Sequence, residues 1–279
     1  MFGRVRVDCY IFATHRKPLT PNKSPSQNRI VILTGLGACG LPQQLQSRMG
    51  THMKILVLGA TGRTGYLFTR KALEEGHTVT AYVRNPHKAR TLLGTHPNLT
   101  IIPGTLDDAE RLAAASSEQD VMVSILGQKA TVREFLSSTF MQERLPLIME
   151  AVTGAGVKHC VLMSAYGVGD TVRTASLPMR LVCKVIMRGI FTDKVKADAL
   201  VTEYQPYISR AHPGRLTDKP GKGGVKVFDM TSVERTPGIP TIARKDVADA
   251  LLTIAKNPQN AGTDFLVTIG DAVLRSPQK

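Results

Sequence analysis

The sequence predicts an α/β fold, a doubly wound parallel sheet in a single domain over residues 53–279, preceded by a disordered N-terminal extension over residues 1–52. Two observations carry that expectation. From Lys54 onward, short apolar runs alternate with helix-forming stretches, the order that builds a parallel sheet with helices on both faces. The first of these runs leads straight into closely spaced glycines, Gly59, Gly62 and Gly65.

Taken in order, residues 1–52 hold seven Lys/Arg against one acid, Asp8, and contribute +6 of the chain's formal +14. Lys17–Asn28 carries Pro18, Pro21 and Pro25 without periodicity, which predicts disorder. The extension reads either as an organellar transit peptide or as a start displaced from Met53. It also holds Gly35, Gly37 and Gly40 at GxGxxG spacing, but only a stub of helix follows them.

Ile55–Leu58 is a short apolar run suited to a strand buried on both faces. Gly59 then permits a tight turn, Gly62 lets backbone approach a pyrophosphate, and Gly65 lets the following helix pack against the strand. Thr61, Arg63 and Thr64 complete the turn, and the free N–H groups opening the helix hold phosphates. The strand, turn and helix together predict a Rossmann-type dinucleotide site. His77–Val83 is the second strand, and where an NAD site ends it in Asp or Glu, this one ends in Arg84, with Lys88 and Arg90 beyond. A cation there matches a 2′-phosphate, so NADP(H) is the expected cofactor and Arg84 its selector.

Asn98–Pro103 is the third strand, Asp107–Ala115 a helix and Asp120–Leu126 the fourth strand, ending at Gly127. A helix over Thr139–Gly154 and a fifth strand over His159–Met163, ending at Ser164, come next. Helical sequence returns near Met179–Ile190 and Asp193–Tyr204, before strand six at Pro206–Ser209, a helix over Lys245–Lys256 and a last strand at Asp264–Ile269. Ligands bind outside the carboxyl ends of such strands, which gathers Gly59–Gly65, Arg84, Asp107, Leu126, Gly127, Ser164–Tyr166 and His212. Asp107 either approaches the adenine or caps its helix. Gln128–Arg133 and Thr171–Leu181 are expected to wall a substrate pocket, with Gln128 facing it.

Composition excludes other classes. The four cysteines show no metal spacing, no aromatic-rich basic motif points to nucleic acid, and no apolar run is long enough to span a membrane. The expected location is cytoplasmic, or mitochondrial through residues 1–52.

GATGRTG at Gly59–Gly65, the strand-ending Arg84, SAYG at Ser164–Gly167 and HPGRLTD at His212–Asp218 resemble the atypical short-chain dehydrogenase/reductase group of NAD(P)H-binding proteins. That group includes biliverdin-IXβ/flavin reductases and NmrA-like proteins, and the likeness runs from about Met53 to Asp271. It implies an NAD(P)H-linked oxidoreductase whose partner is a small-molecule acceptor, and in which the Pro-Gly-x-Leu turn closes over the active site. Two departures stand out. Thr105 stands where the group often has an Asp, and none of the six tyrosines has the lysine four residues later that lowers the phenol pKa in classical members. The flavin-reductase-like members work without that pair, by holding the nicotinamide against a planar acceptor. In that reading Ser164 orients cofactor or substrate, Tyr166 stacks on the acceptor or donates a hydrogen bond, and His212 borders the pocket. Lys194 either replaces the missing lysine or lies on a solvated helix face. The alternative the resemblance implies is an NmrA-like redox sensor that binds NADP without turnover and regulates a protein partner.

Overall fold

The computed structural model describes residues 52–127, 137–185, 187–221, 223–236, 238, 240–269 and 273–274. The extension, the Gly35–Gly40 stretch and Gln128–Arg133 lie outside the described residues. The framework strands are β1 (Lys54–Leu58), β2 (Thr78–Val83), β3 (Leu99–Pro103), β4 (Val121–Ser124), β5 (Cys160–Met163), β6 (Ile208–Pro213), β8 (Lys226–Asp229) and β11 (Asp264–Thr268). They form one sheet in the order β3-β2-β1-β4-β5-β6-β11-β8. All neighbours pair parallel except β8, which runs antiparallel to β11 at the edge. Short pairs join β7 (Arg215–Thr217) to β10 (Thr241–Ala243), and β9 (Val233–Arg235) to β12 (Val273–Leu274).

β1 shows why the sheet has helices on both sides. Its side chains alternate between faces, yet Ile55 through Leu58 are all buried. Ile55 and Val57 pack with Phe68 and Ala72 of α1 (Arg63–Glu74) and with Val247 and Leu251 of α7 (Arg244–Ala255). Leu56 and Leu58 pack with Leu112 of α3 (Ala109–Ser116), Leu145 and Ile148 of α4 (Phe140–Gly154), and Ala197 of α6 (Arg188–Leu200). The remaining helices among the described residues are α2 (Pro86–Leu93) and α5 (Leu177–Val185). Cys160 is buried in β5, and desolvation pushes its thiol up to about 12, as expected of an inert core cysteine.

Strand six and the sheet edge differ from expectation. Pro206 sits in a 3-10 turn, Thr202–Tyr207, and the strand continues through Arg210 and His212 to Pro213. Two polar residues in mid-strand read as a strand end, but both are buried against acids from neighbouring elements. β8 was hidden behind glycine-rich sequence, although Val225 and Val227 carry a period of two.

A buried carboxylate ties the second helical layer together. Asp193 of α6 accepts from the Met141 and Gln142 N–H groups at 3.0 Å, from Gln142 Nε2 at 3.1 Å and from Ser138 Oγ at 2.9 Å. It thereby caps α4 in trans, where Thr139 makes no side-chain cap. Desolvation pushes the Asp193 carboxyl upward, but these donors outweigh it and hold the pKa below the ordinary aspartate value. Its contribution to stability is complete above the unfolded aspartate pKa and fades as pH falls through the depressed folded one. We expect Asp193→Ala to cost about 2–4 kcal/mol in denaturant unfolding at neutral pH, with the gap from the parent narrowing in acid. A constant gap across that range would dissociate the carboxylate's charge from its capping role.

Candidate functional site

The carboxyl ends of β1, β2 and β4 open into a cleft of about 610 Å³. Gly59, Thr61, Gly62, Arg84, Asp107, Leu126 and Gly127 all line it, joined by Tyr82, Lys88, Thr105, Phe140 and Arg144. Gly59 has φ +87°, and a Cβ there would stand 2.7 Å from the Ile125 carbonyl. A Cβ at Gly65 would collide with the Gly59 carbonyl, so α1 reaches the strand only through glycine. At Gly62 the backbone is extended, with φ −77°, and the only neighbour of an added Cβ is the Gly59 carbonyl at 3.2 Å.

Gly62 supplies no side-chain cap to α1, and no acid stands in the first turn of that helix. The first N–H groups of the helix, from Arg63, Thr64 and Gly65, have no intrahelical acceptors, and the positive end of the dipole sits with them. The Thr64 side chain itself is buried, and Arg63 turns to Asp218 at 2.9 Å, so these two do not line the cleft with their side chains. Asp218 also takes Arg244 at 2.9 Å and so joins the glycine turn to the start of α7. At the other end, Arg84 is exposed beside Lys88, whose N–H is taken by the Asn85 cap of α2 at 2.9 Å. Among the described residues no carboxylate pairs with Arg84. An uncapped helix start, open space over Gly62 and two cations together fit a phosphorylated dinucleotide.

Asp107 does not cap its helix, which corrects one of its two expected roles. The cap of α3 is Asp108, accepting from Arg111 N–H at 3.0 Å, while Asp107 pairs with Arg144 of α4 across the cleft. The local sequence offers two adjacent aspartates, and only the helix phase separates them.

Ser164 follows β5, its N–H bonded to the Ala211 carbonyl at 2.8 Å. It lines a small pocket with Ser124, Leu126, Met163, Lys194, Asp198 and Arg210. Lys194 therefore does not lie on a solvated face, contrary to one expectation for it. Its Nζ reaches toward the Met163 carbonyl at 3.4 Å, and desolvation lowers its pKa despite the opposing fields of Asp198 and Asp193. Helix phase held the signal, since Lys194, Ala197 and Val201 follow three- and four-residue spacing and the last two are buried.

Beyond this pocket lies a cavity of about 700 Å³, bordered by Asp198 and Arg210 as well as His212. His212 is buried between the Ala165 carbonyl and Asp264 Oδ2, each at 3.3 Å. Arg210 spans Asp198 at 2.9 Å and Asp264 at 3.4 Å. Burial drives the Asp264 carboxyl up, but His212 and Arg210 hold it below the usual range. Of the expected second pocket wall, Thr171, Arg173 and Thr174 line this cavity, whereas Leu177 and Leu181 face solvent.

Tyr166 is a correction. It is 1 % exposed, and its hydroxyl is taken by Thr174 at 2.9 Å and by Thr236. A ring so enclosed among Val168, Met179 and Leu266 packs a core and does not stack on an acceptor. Gln128 falls outside the described residues.

Residues 59–258 match the model of the NAD(P)H-binding family. The chain belongs to that family. Among curated relatives, a probable pinoresinol-lariciresinol reductase 3 of Arabidopsis thaliana is 33% identical over 100 residues, 33% of each chain. The photosystem II assembly factor Ycf39 of Synechocystis is 33% identical over 112 residues, 40% of this family member and 33% of the relative. The chain thus spans about a third of the length of these relatives. Solved structures share the fold at low identity. An anaerobillin reductase of Escherichia coli O157:H7 has a TM-score of 0.59 at 20% identity, covering 78% of this chain and 98% of that one. A short-chain dehydrogenase/reductase of Veillonella parvula, solved with NADP, has a TM-score of 0.64 at 14% identity, covering 78% and 95%.

Proposed function

We propose that this family member is an NADPH-dependent reductase that delivers hydride to a conjugated small-molecule acceptor such as a flavin, quinone or tetrapyrrole, without a Tyr-x-x-x-Lys pair. The observation that carries the proposal is the sequence of spaces described above. The dinucleotide cleft shares Leu126 with the Ser164–Lys194 pocket, and that pocket shares Asp198 and Arg210 with the 700 Å³ cavity. A bound nicotinamide dinucleotide supplies the hydride. Arg84 and Lys88 take the 2′-phosphate, and the start of α1 takes the pyrophosphate. Lys194 holds a proton at Nζ in the small pocket beside Ser164, with a lowered pKa that favours its release. Ser164 orients the ring or acceptor through its hydroxyl, and His212, fixed by Asp264, borders the acceptor cavity.

The test is NADPH oxidation against a panel of flavins, quinones and small carbonyls, with NADH in parallel. Turnover of a conjugated acceptor with NADPH preferred is expected. Tight NADPH binding with no turnover on any acceptor would instead favour a redox sensor. Cofactor choice has its own test in Arg84→Glu. Loss of one charge-assisted contact is worth about 1.5–3 kcal/mol, so NADPH affinity is expected to fall about 100-fold while NADH affinity changes little. Equal losses in a fluorescence titration would remove Arg84 as the selector.

A further inference from the structure

Helix α5 presents a surface that neither the cleft nor the cavity explains. Leu177, Leu181 and Val185 recur every fourth residue along one face, and they are 79, 64 and 64 % exposed. Monomeric proteins rarely leave three large aliphatic side chains in a row on the surface. Two arginines stand near them, Arg180 on α5 and Arg188 at the start of α6. From Leu177 to Thr192 there is no acidic residue. Arg180 and Arg188 are both exposed, and among the described residues neither is paired with a carboxylate, although Arg180 donates to the Ala175 carbonyl at 2.8 Å and to the Arg173 carbonyl at 2.5 Å. The other face of α5 is anchored, since Met179 and Cys183 are buried with Phe191. Behind the helix lies a hollow of about 540 Å³ lined by Val172, Cys183, Phe191 and Val195, to which Arg180 and Arg188 also contribute.

We infer that α5 docks this protein on an anionic phospholipid bilayer, lying in the interface with its aliphatic row in the acyl boundary and with Arg180 and the neighbouring Arg188 of α6 among the phosphates. An exposed aliphatic row next to arginines, with no acid among them, is the arrangement such an interface selects. A second copy of the chain is a poorer occupant. A two-fold contact would set the same arginines against each other, and no acid within the segment would neutralise them. Among the described residues no helix is long and apolar enough to span a membrane, so the contact is one of surface docking. The inference is independent of the reductase reading.

Sedimentation of the full chain with vesicles tests it. The protein is expected to pellet with phosphatidylcholine vesicles containing phosphatidylglycerol and to stay in solution with phosphatidylcholine alone, and added salt should weaken the binding. Leu181→Ser removes the burial of one aliphatic side chain and should lower partitioning about tenfold. Arg188→Glu should lower it comparably on anionic vesicles. Both positions are exposed, and an unchanged thermal melt in each variant confirms that the fold is intact. Several outcomes would overturn the inference: no pelleting, equal pelleting with neutral vesicles, or a dimer that Leu181→Ser dissolves. Vesicle binding that survives both substitutions would assign it to another segment, residues 1–52 above all, and would equally overturn it.

Discussion

Gly62→Val should abolish dinucleotide binding and leave the fold standing. The backbone at Gly62 already has a φ that any residue adopts, and an added Cβ would meet only the Gly59 carbonyl, at 3.2 Å. The valine branches would instead occupy the space over the start of α1, where the pyrophosphate must approach the free N–H groups. Each charge-assisted bond lost there is worth about 1.5–3 kcal/mol, so two or three together imply a loss of about 1,000-fold or more in affinity for NADPH and NADH alike. Titration by nucleotide fluorescence measures this, and a circular dichroism melt close to the parent's completes the result. The contrast with its neighbours is informative. Side chains at Gly59 or Gly65 would strike backbone and damage the fold itself, so only Gly62 separates binding from folding. Retained cofactor affinity in Gly62→Val would exclude this turn as the phosphate site.

Lys194→Met should leave cofactor binding within about threefold and lower kcat by about 100-fold or more, the range for removal of a positioned proton donor. Methionine keeps the length and apolar stem, and relieving a partly buried, desolvated charge does not destabilise the pocket. The pH profile carries the decisive readout. With Lys194 as donor, kcat falls on the alkaline side as the lysine deprotonates, at a pH below the ordinary lysine range because desolvation lowers its pKa. The methionine variant should lose that limb. A variant with the same limb, or with unchanged kcat, would return proton delivery to solvent and leave Lys194 as packing.

What was legible in the sequence is what is local. β1, the glycine turn and α1 are consecutive, and the turn's geometry follows from three glycines, of which Gly59 and Gly65 leave no room for a side chain. Arg84 is likewise read from its place at the end of a strand. The rest depends on contacts between distant elements. Lys194 looks like any surface lysine until α6 is laid on the sheet and its Nζ meets the Met163 carbonyl, thirty-one positions away in sequence. Tyr166 follows a strand end, as a site residue would, but Thr236 closes over its hydroxyl from a segment seventy residues later. The roles of Asp107 and Asp108 were inseparable because either phase of the helix start was compatible with the local pattern.

The position of β11 has a consequence for how the chain must be made. This strand lies between β6 and β8, both of which precede it, and it brings Asp264 to the buried Arg210 and His212. During synthesis the nucleotide-binding half can assemble early, because β1 through β6 are contiguous in the sheet. The acceptor side has to wait. Until residues 264–268 have emerged, β6 is an open edge carrying an arginine and a histidine without one of their carboxylate partners, a polar edge that discourages pairing with other nascent chains. A ribosome-stalled product ending before Asp264 should therefore hold the dinucleotide-binding half, with α7 packed on it, in protease-resistant form, while β6 and the 214–243 segment are digested.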